Sequence, residues 1–116
     1  MTEEAGPFAL AIITAPEDEA QKIAQGLVDA GLAACVQVLS GAQSHYVWEG
    51  RAEVDRESLL FLKTRNAYRD RIIQYLKENH SYEVPEFLLF TVDDGHPDYL
   101  KWMTDVLPAS DDETKN

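Results

Sequence analysis

Apolar residues follow two rhythms along this chain. Phe8 to Thr14, Ala33 to Leu39 and Glu86 to Val92 are apolar stretches of strand length, as expected where a strand is covered on at least one face. Between them, Ala20, Ile23, Ala24 and Leu27 recur at helical spacing, and so do Tyr68, Ile72, Tyr75 and Leu76. Pro16 suits the first turn of the first helix, with Glu17, Asp18 and Glu19 at the positive end of its dipole, and Gly31 suits its stop. Thr64 is placed to cap the second helix, which ends near Asn79-His80. Pro97 opens a third helix carrying Tyr99, Leu100, Trp102, Met103 and Val106, and Pro108 closes it.

The middle of the chain behaves differently. Ser40-Gly41-Ala42 interrupts the second strand and predicts a bulge, after which Ser44 to Glu49 resumes as strand. Glu49-Gly50 reads as a two-residue hairpin turn, and Arg51 to Lys63 returns as a long strand. That turn sets Trp48 opposite Arg51 and Tyr46 opposite Glu53. The hairpin is too long for a domain of this size, so its tip must protrude or be covered by another chain.

The order βαββαβ plus a terminal helix predicts an α+β, ferredoxin-like architecture: an antiparallel four-stranded sheet with helices on one face and an extended central hairpin. We expect one domain over residues 8–107, a disordered tail over 1–7 and an acidic frayed tail over 108–116.

Charge and composition narrow the function. With 21 acidic against 10 basic residues the formal net charge is -11, which argues against nucleic acid and against anionic membranes. No apolar stretch reaches membrane-span length. Cys35 is the single cysteine, so no intramolecular disulfide forms; this and the acidic first residues fit a cytoplasmic protein without a signal peptide. Nucleotide-binding, zinc and nucleophile-elbow motifs are absent.

A few residues remain as candidates for chemistry. Cys35 reads either as a small buried hydrophobe or as a soft ligand for copper. His80 precedes Glu83 and Glu86 by three and six residues, so the stretch offers one nitrogen and two carboxylates to a metal; the same imidazole suits a helix C-terminus. For copper, His80 ranks above a thiol inside a strand. His45 and His96 read as surface residues. Tyr46, Trp48 and Tyr82 lie off the helix stripes and suit either an interface or hairpin packing. Lys63 is placed to pair with Glu86 across strand ends.

Five segments then fit one pattern: Leu32-Ala33-Ala34-Cys35-Val36, Ser44-x-Tyr46-x-Trp48-x-Gly50, Leu62-Lys63-Thr64-Arg65, Glu78-Asn79-His80-x-Tyr82-Glu83-Val84-Pro85-Glu86 and Asp98-Tyr99-Leu100-x-Trp102. In this order they resemble the signatures of the CutA divalent-cation-tolerance family, from Ala11 to Leu107. The resemblance implies a homotrimer with hairpins swapped against neighbours, divalent-metal tolerance, and binding of copper or another divalent cation without an obligatory cofactor. It implies a binding protein rather than an enzyme. Carried over by position, Cys35 and His80 are metal-linked, and Trp48, Lys63, Tyr82, Glu86, Tyr99 and Trp102 line a cleft. Ser81 stands where the family usually has Pro, and Arg51 where it usually has Lys. The alternative is a PII-like signalling protein binding a small effector at intersubunit clefts. An acylphosphatase-like enzyme ranks last, because residues 15–20 hold Pro and acids where an anion-cradling loop would be needed.

Overall fold

Phe8 to Ile13 and Phe87 to Phe90 are unbroken apolar runs, and the sheet forms around them. The computed structural model describes residues 7–108. The elements are β1 (Phe8–Ala15), α1 (Glu17–Asp29), β2 (Cys35–Trp48), β3 (Arg51–Arg65), a 3-10 turn (Asn66–Tyr68), α2 (Arg69–Asn79), β4 (Phe87–Thr91) and α3 (Pro97–Val106). The strand order is β2-β3-β1-β4 and every pair is antiparallel, the ferredoxin-like arrangement. The terminal tails expected from the sequence lie outside the described residues, apart from their innermost members. Both of these are tied down: the Pro7 carbonyl accepts from the Asn66 N–H and the Pro108 carbonyl from the Tyr68 hydroxyl.

Alternation along β1 separates the two faces of the sheet. Ala11 and Ile13 pair with Leu62 and Leu60, and all four are fully buried. Leu27 of α1 and Ile72 and Leu76 of α2 belong to the same core. The other face carries Leu10, Ile12, Lys63 and Phe61, with Leu88 and Phe90 of β4 paired to Ile12 and Leu10. Helices were expected on one face only. α3 departs from this: its end reaches Arg65, on the second face, whose Nε donates to the Leu107 carbonyl at 2.7 Å. The rest of that face is open, with Leu39, Leu88 and Phe90 each about half exposed.

Thr64 does not cap α2. β3 continues through Arg65, and the Thr64 hydroxyl, fully buried, donates to the Leu32 carbonyl at 2.7 Å. Sheet pairing with Ala9 holds the backbone extended there, so the helix starts later, after the 3-10 turn and without a side-chain cap.

The hairpin follows the expected register, with Trp48 opposite Arg51 and Tyr46 opposite Glu53. Glu49 (φ 51°) and Gly50 (φ 80°) both sit in the left-handed region, as a primed two-residue turn requires. The ladder breaks between Leu39 and Ala42, where Gly41 takes φ 87° in the bulge. The molecule measures 46 × 27 × 26 Å, with regular strand up to the hairpin tip.

Candidate functional site

Along the hairpin, on the open side of the sheet, lies a groove of about 560 Å³. One wall is the hairpin. Ser44, Tyr46 and Trp48 on β2 share a face with Asp55 and Glu57 on β3, because Ser44 pairs with Asp55 and Ala42 with Glu57. The other wall is the segment after α2, with Tyr82, Glu83, Val84 and Glu86. Thr14 and His45 also border it.

Two tyrosine–carboxylate bonds organise the groove. The Tyr46 hydroxyl donates to Asp55 Oδ2, and the Tyr82 hydroxyl donates across the groove to Glu57 Oε2 at 2.8 Å. The bond to Asp55 pushes the Tyr46 hydroxyl up to about 12, since ionising it would set two anions together. Tyr82 is raised as well, first by burial and then by its bond to Glu57. Glu57 itself is only 6% exposed. The Glu86 carboxyl is raised by partial desolvation and then by the charge of Glu57. Asp55 and Glu57 thus raise the titrating groups beside them, and with Glu83 and Glu86 on the other wall the groove carries a negative field that favours cations.

His80 holds the second wall in place. It ends α2 and is 8% exposed. The Tyr82 N–H donates to its Nδ1 at 3.1 Å, so Nε2 carries the proton and donates to the Thr14 carbonyl at 2.8 Å. The ring also lies 4.8 Å from that of Tyr82. Both ring nitrogens are therefore committed to the fold, and a metal would have to displace one of those bonds. Cys35 lies elsewhere, at the start of β2, with the Lys63 ammonium 3.9 Å from its sulfur. That charge has the wrong sign for a cation site. Among the described residues no three His, Cys, Asp or Glu side chains gather as a ready-made metal site.

The structure thus divides the residues singled out in the sequence into two groups. Trp48, Tyr82, Glu83 and Glu86 meet in the groove. Cys35, Lys63 and Tyr99 gather at the far end of the open face: Lys63 bonds Gln37 rather than Glu86, and Cys35 lies close enough to raise the Tyr99 hydroxyl, after burial. The Trp102 ring lies tilted against that of Tyr99, with centroids 5.3 Å apart. Asp55 and Glu57 escaped the sequence reading, although the predicted hairpin register already placed Asp55 on the face of Tyr46. His96 is exposed, as expected, and also has a local role: its Nδ1 caps α3 by accepting the Asp98 N–H at 3.1 Å. Ser81 supplies something Pro could not, an N–H that donates to Glu19 Oε1 at 3.3 Å.

This geometry has close counterparts. Residues 9–106 match the model of the CutA1 divalent ion tolerance protein. The chain is 41% identical over 104 residues to Protein CutA homolog of Xenopus laevis, covering 89% of this chain and 69% of the other. It is 40% identical over 93 residues to the divalent-cation tolerance protein CutA of Pectobacterium atrosepticum, covering 79% and 84%. The crystal structure of CutA1 from Oryza sativa superposes with a TM-score of 0.86 at 33% identity, covering 91% of this chain and 98% of that one. Matched over nearly its whole described length in sequence, and superposing on a solved CutA1 structure over 91% of its length, the chain belongs to the CutA1 divalent ion tolerance family.

Proposed function

We propose that this chain works as a homotrimer in divalent-cation tolerance and responds to metal ions by binding them, copper included, rather than by catalysis. The carrying observation is the groove bordered by Asp55, Glu57, Glu83 and Glu86, whose carboxylates are spread over two walls rather than gathered as a ready-made site and offer oxygen donors in a negative field. Such donors suit hard divalent ions and take copper with little selectivity. His80 supports the wall of this site through its bonds to Thr14 and Tyr82. Cys35 stands apart beside Lys63.

The trimer rests on a second observation. Leu39, Leu88 and Phe90 on the open face, and Val47, Trp48 and Val54 on the hairpin, are 43% to 74% exposed in a single chain. Apolar surface on that scale is normally covered, and a second and third copy of the same surface close a ring without leaving strand edges. The groove then lies beside the covered face, where a neighbouring copy can add donors. The PII-like reading requires a long flexible loop at this position, and regular strand occupies it. The lone thiol of Cys35 fits a reducing cytoplasm.

Sedimentation equilibrium combined with calorimetric titration tests both parts. We expect a trimer at micromolar concentration, and weak Cu²⁺ and Mn²⁺ binding that falls on the order of tenfold in the Glu83→Gln/Glu86→Gln double variant. A monomer, or metal binding untouched by that change, overturns the corresponding part.

A further inference from the structure

The hairpin leaves the sheet at a bulge, and a bulge is a point where a strand can bend. One side chain spans that point. Glu17, the first residue of α1, accepts the Gly41 N–H on Oε2 at 2.7 Å and the Arg56 Nε–H on Oε1 at 3.1 Å. Gly41 lies in the bulge of β2, and Arg56 is paired with Gln43 on β3, just beyond the register break. A single carboxylate from the helix layer therefore holds both strands of the hairpin where its direction is decided. Both bonds are charge-assisted and engage the two oxygens separately. Arg56 has no closer carboxylate among the ion pairs of the described residues, and the Gly41 N–H falls where the ladder is interrupted.

We infer that Glu17 is a positioning residue for assembly: by fixing the angle at which the hairpin departs, it presents the hairpin in the geometry that closes the trimer. This rests on the trimeric reading above. Preorganising the hairpin reduces the ordering cost of association, so the contribution appears in the assembly equilibrium more than in the fold of one chain. Glu17 has a competing, purely local role, since any acid in the first turn of α1 favours the helix dipole. Asp18, exposed and in the same turn, shares that role without touching the hairpin and serves as the control.

Sedimentation of the full chain over a range of concentrations separates these roles. In Glu17→Ala both bonds are lost, and the dissociation midpoint of the trimer should move to protein concentrations on the order of tenfold higher. Glu17→Gln keeps the length and one acceptor while turning an NH2 toward the other donor, so it should fall between, and it carries the test if the alanine variant loses stability. Asp18→Asn should sediment as the parent does. Hydrogen exchange gives an independent signature: the Gly41 amide should lose protection in Glu17→Ala and keep it in Asp18→Asn. A Glu17→Ala trimer that dissociates like the parent, or a Gly41 amide that stays protected, overturns the inference and leaves the trimer standing. A parent chain that sediments as a monomer overturns the trimeric reading, and this inference with it, before any variant is compared.

Discussion

The two faces of the sheet are built from similar residues and meet different fates. On one, Ala11, Ile13, Leu60 and Leu62 lie fully buried under α1 and α2. On the other, Leu39, Leu88 and Phe90 are about half exposed, and α3 reaches only one end. The apolar content of the strands is set by what covers both sides, whereas one chain supplies helices for one side and a fraction of the second. A strand pattern apolar on both faces in a small domain therefore carries information about neighbours as well as about the core.

The sharpest way to break this comparison is to damage each face separately. Leu76→Ala, on the covered side, should cost about 2–5 kcal/mol per chain in denaturant unfolding, because the side chain is 3% exposed within the core. A near-neutral result would remove α2 from the core. Phe90→Asp, on the open side, should leave the circular dichroism spectrum of the chain unchanged while weakening the proposed trimer on the order of 100-fold, about 2.7 kcal/mol. If the charge at position 90 is tolerated in the assembly, the open face is not where the copies meet.

How much of this was legible follows the same division. The order of elements, the bulge at Gly41 and the pairing of Tyr46 with Glu53 are local matters of turn chemistry and alternation, and all appear in the structure. The start of α2 was missed because Thr64 is a good cap by type, and only sheet pairing with Ala9 reveals that its backbone is already committed. The groove was half legible. Tyr82, Glu83 and Glu86 come from one stretch of sequence, whereas Asp55 and Glu57 enter through strand pairing and a tyrosine bond across the groove. For His80, sequence spacing shows which donors are near it along the chain, but not that Thr14, 66 positions earlier, already occupies one ring nitrogen.

His80 therefore offers an intermediate test that sharpens the difference between wall and donor. His80→Ala should leave the buried Thr14 carbonyl and the Tyr82 N–H without their partner, at about 1–3 kcal/mol of unfolding free energy. The Cu²⁺ titration should keep its stoichiometry, and any loss of affinity should be smaller than in the Glu83→Gln/Glu86→Gln variant. The opposite ranking would make His80 a metal ligand that exchanges its structural bonds for the ion.

The smallest effect, and the most local, is the pH dependence of the hairpin wall. Tyr46 is raised from 10.0 to about 12 in the folded chain, chiefly by its bond to Asp55. A raised folded value means that the protonated hydroxyl is the bound form. Its contribution is present in full below the ordinary phenol value and fades as pH climbs through about 12. Tyr82 shifts in the same direction through burial and Glu57, so the two walls should loosen together on the alkaline side. Glu86, also raised, acts in the same sense on the acid side: its contribution is present below the ordinary carboxylate value and is lost as pH rises through the folded one. Tyr46→Phe should thus remove one late-titrating tyrosinate from the ultraviolet titration and flatten the alkaline limb of stability, while Glu86→Gln should flatten the acid limb and leave the alkaline one alone. Because Tyr46 lies on the exposed hairpin, its change should be slight in unfolding midpoint and clearest in amide shifts of residues 44–57. If those shifts pass through the alkaline range identically in parent and Tyr46→Phe, the Tyr46–Asp55 bond does not hold the hairpin wall, and the groove is shaped by Tyr82 and Glu57 alone.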